Sequence, residues 1–432
     1  MIVQQIVEKA MDKAQAAQAT LLTQEINSVD FENDRLKSAE SSQRTRIDVK
    51  VIVNGKIGSS STTDPRDIDG VVSRALEAAE FGSPVHFELP DPQQLQAVKT
   101  FDPALLPLQK PEMIHLGQKM MDMIKAYNPE ILAGAGVNKN IYRFEYANSK
   151  GASYSTEHTD FNLGAGGQLT RGTDILLVAH GIGQKKREVD EEDIAARAIE
   201  YFRMAEKIVP FESGELPVIF TPGGLSALLL SLGLAVDGKN VYLGASPLRD
   251  KLGQQIADPR LTIIDDPFIE FGPNSGAYDN EGVPRKVMPL VEKGVLKNFI
   301  YDLDTAGRVQ THPTGHGANR QLTNLVISPG NTPYEEMVRG IENGLLVHDF
   351  LGLGQGNPIN GDFSVNVFLG YKIEHGKVTG RVKDIMLAGN AFNAIKDVSA
   401  ISQEREWVSG PFAWFNGLFP YVQINKLSVT AK

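Results

Sequence analysis

The sequence predicts an α+β protein in two parts. An N-terminal domain of helices on an antiparallel sheet precedes a β-rich C-terminal domain built around a buried apolar helix. Three observations carry this. The segment TRIDVKVIV at 45–53 alternates apolar and polar residues, as a half-buried strand requires. It runs through Asn54-Gly55, a tight-turn dipeptide, into a second arm at 56–62. From 211 onward Gly and Pro punctuate strand-length runs, and one long apolar stretch, TPGGLSALLLSLGLAVDGKNVYLG at 221–244, stands among them.

A chain of 432 residues has room for two or three domains. Lys and Arg number 43 against 53 Asp and Glu, a formal charge of −10. That balance, with no basic cluster, argues against a nucleic-acid surface. Cysteine is absent, which excludes disulfides, thiolate nucleophiles and Cys metal ligands. Glu8, Asp12 and Lys13 fall where a signal peptide needs an unbroken apolar core. With no transmembrane segment in view, the expected compartment is the cytoplasm.

Ile2, Ile6, Ala10, Ala14 and Ala17 recur at helical spacing and predict a helix over 2–22. After the hairpin, Ile68, Val71, Val72, Leu76 and Ala79 form one face of a helix at 67–81, so 1–82 reads as a first layer unit. Pro84, Pro90, Pro92, Pro103, Pro107 and Pro111 make 83–112 an extended connector. Residues 113–210 read as a helix at 113–127, a strand meander and a helix at 191–209. The meander has strands at 131–137, 141–146, 152–169 and 173–180. Asn138-Lys139-Asn140 separates the first two, and a turn at 148–151 follows. The N-terminal domain thus spans 1–210 and the C-terminal domain 211–432. In the latter, strands are expected at 261–264, 286–291, 295–301, 322–327, 363–373, 378–388 and 421–429, with helices at 249–256 and 334–343.

The apolar run inside this stretch fills only about a dozen positions before Asp237 and is too short to span a bilayer, which takes about 20 residues. Leu225, Ala227, Leu228, Leu229, Leu230, Leu232, Leu234 and Ala235 precede any charge, and a helix apolar on every face is buried on every face.

Residues with chemical potential are scattered. His312 and His316 have ligand spacing for a helix, but Pro313, Gly315 and Gly317 point to a glycine-rich loop with surface histidines. On a strand, His158 and Asp160 would share a face roughly 7 Å apart, long for a hydrogen bond, so Glu157-His158-Thr159-Asp160 reads as a solvated polar face. Ser226 and Ser231 lack a nucleophile elbow. Gly352-Leu353-Gly354-Gln355-Gly356 opens no helix and reads as a loop needing positive φ. Trp407, Phe412, Trp414, Phe415, Phe419 and Tyr421 form an aromatic cluster suited to a core, a peptide groove or a subunit contact.

Several stretches, in order, resemble the TldD/PmbA family, named for modulation of DNA gyrase and linked to zinc-dependent peptidases. RIDVKVIVNGKIGSSSTTDPRDIDGVVSRALEAAEFG is similar to the family's first domain. GELPVIF at 214–220 resembles the strand entering its motif helix, and LGASPL at 243–248 the segment after it. YDNEGVP at 278–284 is similar to its D-E-G-x-P element with one residue more, and VEKGVL at 291–296 to its G-x-L element. TGHGANR at 314–320 resembles its T-G-x-x-R loop with the Arg later, and GDFS at 361–364 its G-D-x-S strand start.

In the family's peptidases the motif helix carries H-E-x-x-x-H, and a downstream Cys completes a zinc site. Imidazoles fix the metal, and the Glu serves as base. The corresponding positions here are Leu229, Leu230 and Leu234. The resemblance is therefore to the PmbA (TldE) type, which lacks the metal motif and pairs with a TldD-type subunit. It implies a non-catalytic subunit of a cytoplasmic peptidase complex acting on unfolded peptides or small proteins. This chain is expected to hold no cofactor, with zinc in the partner. His316, Asn319, Arg320 and Trp414 become candidate peptide or partner contacts. Two other readings stand beside it: a hydrolase with a relocated site drawn from His158, Asp160, His312, His316 and Asp362, and a homodimeric peptide-binding protein. Neither nucleic acid nor membrane is an expected partner.

Overall fold

The computed structural model describes residues 1–354, 356–410 and 413–431. It is α+β, with two sheets. The first is antiparallel and six-stranded, in the order β3-β2-β1-β4-β5-β6. Its strands are β1 (Ala16–Glu32), β2 (Arg35–Val53), β3 (Lys56–Thr62), β4 (Leu132–Asn148), β5 (Ser153–Arg171) and β6 (Asp174–Gln184). Four helices cover it: α1 (Ile2–Ala10), α2 (Ile68–Ala79), α3 (Lys110–Tyr127) and α4 (Glu191–Ala205).

The alternation at 45–53 does what it predicts. Ile47, Val49 and Val51 turn inward and share a core with Val3, Ile6 and Val7 of α1 and Val71, Val72 and Ala75 of α2. The approach is close: a Cβ on Gly58 of β3 would lie 2.2 Å from the Ala75 carbonyl oxygen. A second core joins Met113, Met120 and Ile124 of α3, Ala198 and Phe202 of α4, and Val137 and Phe161 of the sheet. The α4 start is capped by Asp190, whose carboxylate accepts from the Glu192 and Asp193 amides, satisfying donors that the helix leaves unpaired.

The helix expected over 2–22 stops at Ala10, and 16–22 belongs to β1. Ala17 and Ala19 pair across to Val51 and Val49 of β2, and Ala19 also to Ala147 of β4. Ladders on both sides outweigh alanine's helical preference. Asn138-Lys139-Asn140 breaks nothing. It pairs with Ser28, Asn27 and Ile26 of β1 and with Asn162, Phe161 and Asp160 of β5. Lys139 is buried, with Nζ donating to the Leu108 carbonyl at 2.8 Å. The helix expected to reach 209 ends at Ala205.

The second sheet comprises β7 (Gly214–Phe220), β8 (Ile263–Asp265), β9 (Met288–Glu292), β10 (Val295–Leu296), β11 (Leu325–Ile327), β12 (Asn343–Leu351), β13 (Asp362–Glu374), β14 (Lys377–Arg381), β15 (Ile385–Asn390), β16 (Val398–Val408) and β17 (Gly417–Ala431). β17 pairs with β15 and also with β7, so β7, β12, β13, β15 and β17 close into a five-stranded ring. The helices are short: α5 (Ser226–Val236), α6 (Gly238–Tyr242), α7 (Leu303–Arg308), α8 (Tyr334–Arg339) and α9 (Ala391–Ala394).

No helix forms at 249–256. Gly253 has φ +77°, and the Gly253 and Ile256 amides donate to Leu296 and Gly294 around the β9–β10 turn. The strand expected at 295–301 is extended only at Val295–Leu296. The one expected at 378–388 is two strands, parted where Asp384 takes φ 55°. The sequence carries no strand signal for β12 or β16, because neither NGLLVHDFL nor VSAISQEREWV alternates cleanly. Among the described residues no helix is long and apolar enough to cross a membrane.

Candidate functional site

α5 sits in the largest apolar core. Leu225, Leu228, Leu229 and Leu232 are each 4% exposed or less and share that core with Val218, Phe220 and Val347. Burial is not uniform. Leu230, Gly233 and Leu234 are half-buried and lie at neighbouring positions on one helical face. So the expectation of burial on every face fails along one stripe. A Cβ on Gly233 would lie 3.5 Å from the Phe415 ring and 3.6 Å from Leu322, so those two side chains lean over the stripe. Beside it runs the 352–356 loop, where Gly352, Gly354 and Gly356 all take positive φ. Gln355 of that loop lies outside the described residues.

Zinc needs imidazole, thiolate or carboxylate donors. Leu229, Leu230 and Leu234 offer none, and among the described residues no three His, Cys, Asp or Glu side chains converge as a ligand set. The α5 site does not fit the metal.

His316 is buried rather than on the surface, while His312 is exposed. The His316 ring is held at both nitrogens: Nδ1 lies 2.8 Å from Thr314 Oγ1, and Nε2 lies 3.1 Å from Asp265 Oδ2. Asp265 also accepts from the Thr323 amide at 2.6 Å and its hydroxyl at 2.8 Å. Arg320 Nε donates to Asp237 at 2.7 Å, and its other arm pairs with Asp302. These residues fasten the loop instead of presenting it. Asn319 is exposed and lines a cavity of about 300 Å3 with His158, Lys185, Arg285 and His316. His158 stacks on Tyr142 at 4.5 Å between centroids, and burial pushes its pKa down to about 3. Its neighbour Asp160 pairs with Lys185 Nζ at 3.1 Å. So His158 and Asp160 face different partners, and both are packed, while Glu157 stays exposed beside Arg143.

The larger cavity, about 690 Å3, lies between the two sheets. Thr221, Pro222 and Gly223, just ahead of α5, form part of its wall. The other walls come from Val178 to Gly181 of β6, Arg197 and Tyr201 of α4, His348 of β12, and Glu406 and Trp407 of β16. Aromatic rings cluster in these walls. Tyr201 lies 4.2 Å from His348 and 5.9 Å from His180, and Tyr334 lies 4.1 Å from Tyr421, centroid to centroid. Burial pushes both His180 and His348 down to about 4, so both are neutral near pH 7. The Tyr421 hydroxyl donates to Glu406 Oε1 at 2.7 Å. Burial, then the Glu406 charge, raises the phenols of Tyr201, Tyr334 and Tyr421.

The C-terminal aromatic cluster divides. Trp407, Trp414 and Tyr421 line this cavity, and Trp414 is 56% exposed. Phe415 leans on α5, and Phe419 is core at 1% exposure. Phe412 lies outside the described residues. His180, Tyr201, Tyr334, His348 and Glu406 escaped sequence reading, since they come from five separate elements. The one signal in the sequence was the acid Glu406 directly before Trp407.

The chain as a whole resembles known proteins. The PmbA/TldA metallopeptidase C-terminal domain matches residues 213–431, about half of the chain, and PmbA/TldA metallopeptidase domain 1 matches residues 21–79. The chain belongs to the PmbA/TldD (PmbA/TldA) metallopeptidase family. A metalloprotease PmbA homolog of Haemophilus influenzae is 24% identical over 416 residues, covering 92% of this chain and 88% of the relative. A metalloprotease of Methanothermobacter thermautotrophicus is 30% identical over 224 residues, and that match spans 50% of this chain and 49% of the relative. The crystal structure of TldE from Thermococcus kodakarensis superposes with a TM-score of 0.92 over 100% of both chains, at 21% identity. At that identity the likeness is one of fold.

Proposed function

We propose that this chain is a non-catalytic, PmbA/TldE-type subunit of a cytoplasmic TldD-type metallopeptidase complex that acts on unfolded peptides or small proteins. The observation that carries the reading is α5. At the positions where the resemblance of the flanking segments puts the family's zinc motif, it bears Leu229, buried in the core, and Leu230 and Leu234 on a half-buried apolar stripe. Three hydrocarbons cannot acidify a water or polarise a carbonyl. Zinc and its chemistry then belong to the partner, and this chain contributes walls that hold substrate. Copurification from the native cell, followed by metal and peptidase assays of each component, tests the reading. A TldD-type partner carrying all of the zinc is the expected result; stoichiometric zinc in the isolated chain contradicts it.

A further inference from the structure

We propose that the aromatic cavity between the sheets binds the cationic side chain, lysine or arginine, of an extended peptide. Glu406 is its anchor. Tyr421 donates to Glu406 Oε1 at 2.7 Å, and Arg197 Nη1 pairs with the same atom at 3.7 Å, beyond hydrogen-bond reach. Among the described residues nothing bonds Oε2. A carboxylate accepts several hydrogen bonds, so Glu406, which lines the cavity, has acceptor capacity to spare.

The rings around it suit a cation. Tyr201, Tyr334 and Tyr421 surround Glu406, and all three stay neutral phenols. Trp407 and Trp414 add indole faces. Aromatic faces attract ammonium and guanidinium groups, more so where water is excluded. Charge agrees: Glu32, Glu200, Asp349 and Glu406 line the cavity against the guanidinium of Arg197. His180 and His348, uncharged near neutral pH, add no repulsion.

Shape supports a peptide as the carrier. Five consecutive residues of β6, Leu177 to Gly181, line the cavity. β6 is an edge strand of its sheet, and edges present unpaired backbone groups that an extended chain can meet. The volume lies within the range of ligand sites. This inference concerns the isolated chain and holds whether or not it pairs with a catalytic subunit.

The chain has two tryptophans, and both line this cavity, so intrinsic fluorescence reports on its occupancy. The probes are a blocked pentapeptide with a central lysine, the same peptide with norleucine or glutamate there, and butylamine. The lysine peptide is expected to give a saturable change, with affinity roughly tenfold or more above that of the norleucine peptide. Glu406→Gln keeps an acceptor for Tyr421, and with an unchanged melting curve it is expected to erase that preference. No saturable change, equal binding of norleucine or glutamate peptides, or a preference that survives Glu406→Gln would overturn the proposal. Butylamine binding as tightly as the peptide would overturn the assignment of a peptide.

Discussion

Arg320 Nε donates to the Asp237 carboxylate at 2.7 Å, fastening the 314–320 loop to the C-terminal end of α5. The same guanidinium pairs with Asp302, the N-cap of α7. One side chain thus ties together three segments around α5.

Removing it should be costly. Asp237 and Asp302 are 20% and 8% exposed, and stranding a buried charge costs about 3–5 kcal/mol. Arg320→Ala is expected to lower the urea midpoint accordingly, with Arg320→Lys recovering only part, since an ammonium lacks the fork that reaches two carboxylates. Wild-type stability in Arg320→Ala would show that the loop is held by other contacts.

The leucines of α5 make a graded prediction. Leu229 is 4% exposed, and truncating a buried leucine costs about 2–5 kcal/mol. Leu229→Ala should fall in that range, and Leu230→Ala and Leu234→Ala well below it. The combined change Leu229→His, Leu230→Glu and Leu234→His should destabilise the fold before it binds zinc. Thermal melting with and without zinc reads this out. A stable, zinc-loaded triple variant would show that the metal pocket survives beneath the leucines.

Stability should respond to acid through the buried imidazoles. Burial lowers His180 and His348 to about 4 in the fold, against roughly 6.5 when unfolded. The unfolded chain then binds more protons in that window. Their contribution is fully present above about pH 6.5 and is lost as pH falls toward 4. It amounts to something on the order of 3 kcal/mol for each. Urea unfolding of the variant His180→Gln/His348→Gln should show a shallower loss across the window. An unchanged slope would mean that neither ring is held neutral.

Glu281 runs the other way. Burial raises its pKa to about 7, so the native state retains a proton that the unfolded chain has released. Stability from this group therefore falls as pH rises from roughly 4.5 to 7. Glu281→Gln, which preserves an acceptor for the Leu303 amide at 2.9 Å, should remove that trend. Unfolding free energies at the two ends of the window check it.

Local pattern made much of this fold legible. The turn at 54–55, the return arm at 56–62 and the 67–81 helix carry their own periodicity and turn chemistry, so they sit within two residues of expectation, whereas β2 starts at Arg35, ten residues before its alternating pattern does. What failed was set by distant chain. Ala17 and Ala19 are strand because β2 and β4 flank them, and Asn138 to Asn140 continue β4 because β1 and β5 supply partners. The candidate site divides in the same way. The substitution of leucine at 229, 230 and 234 is visible in one stretch of sequence. The Glu406 cavity is not, because Tyr201, Tyr334, His348 and Tyr421 meet only through the packing of two sheets. His316 misled because a histidine between glycines suggests a surface loop, whereas Thr314 and Asp265 satisfy both of its nitrogens and allow it to be buried.

The most direct test of the central claim is peptidase activity with metal content, measured on the purified chain alone, on a purified TldD-type subunit from the same cell, and on the two together. The account predicts that the chain alone carries no stoichiometric zinc and cleaves no unfolded peptide, and that activity appears in the mixture with zinc in the partner. Zinc-dependent cleavage by the chain alone would contradict it.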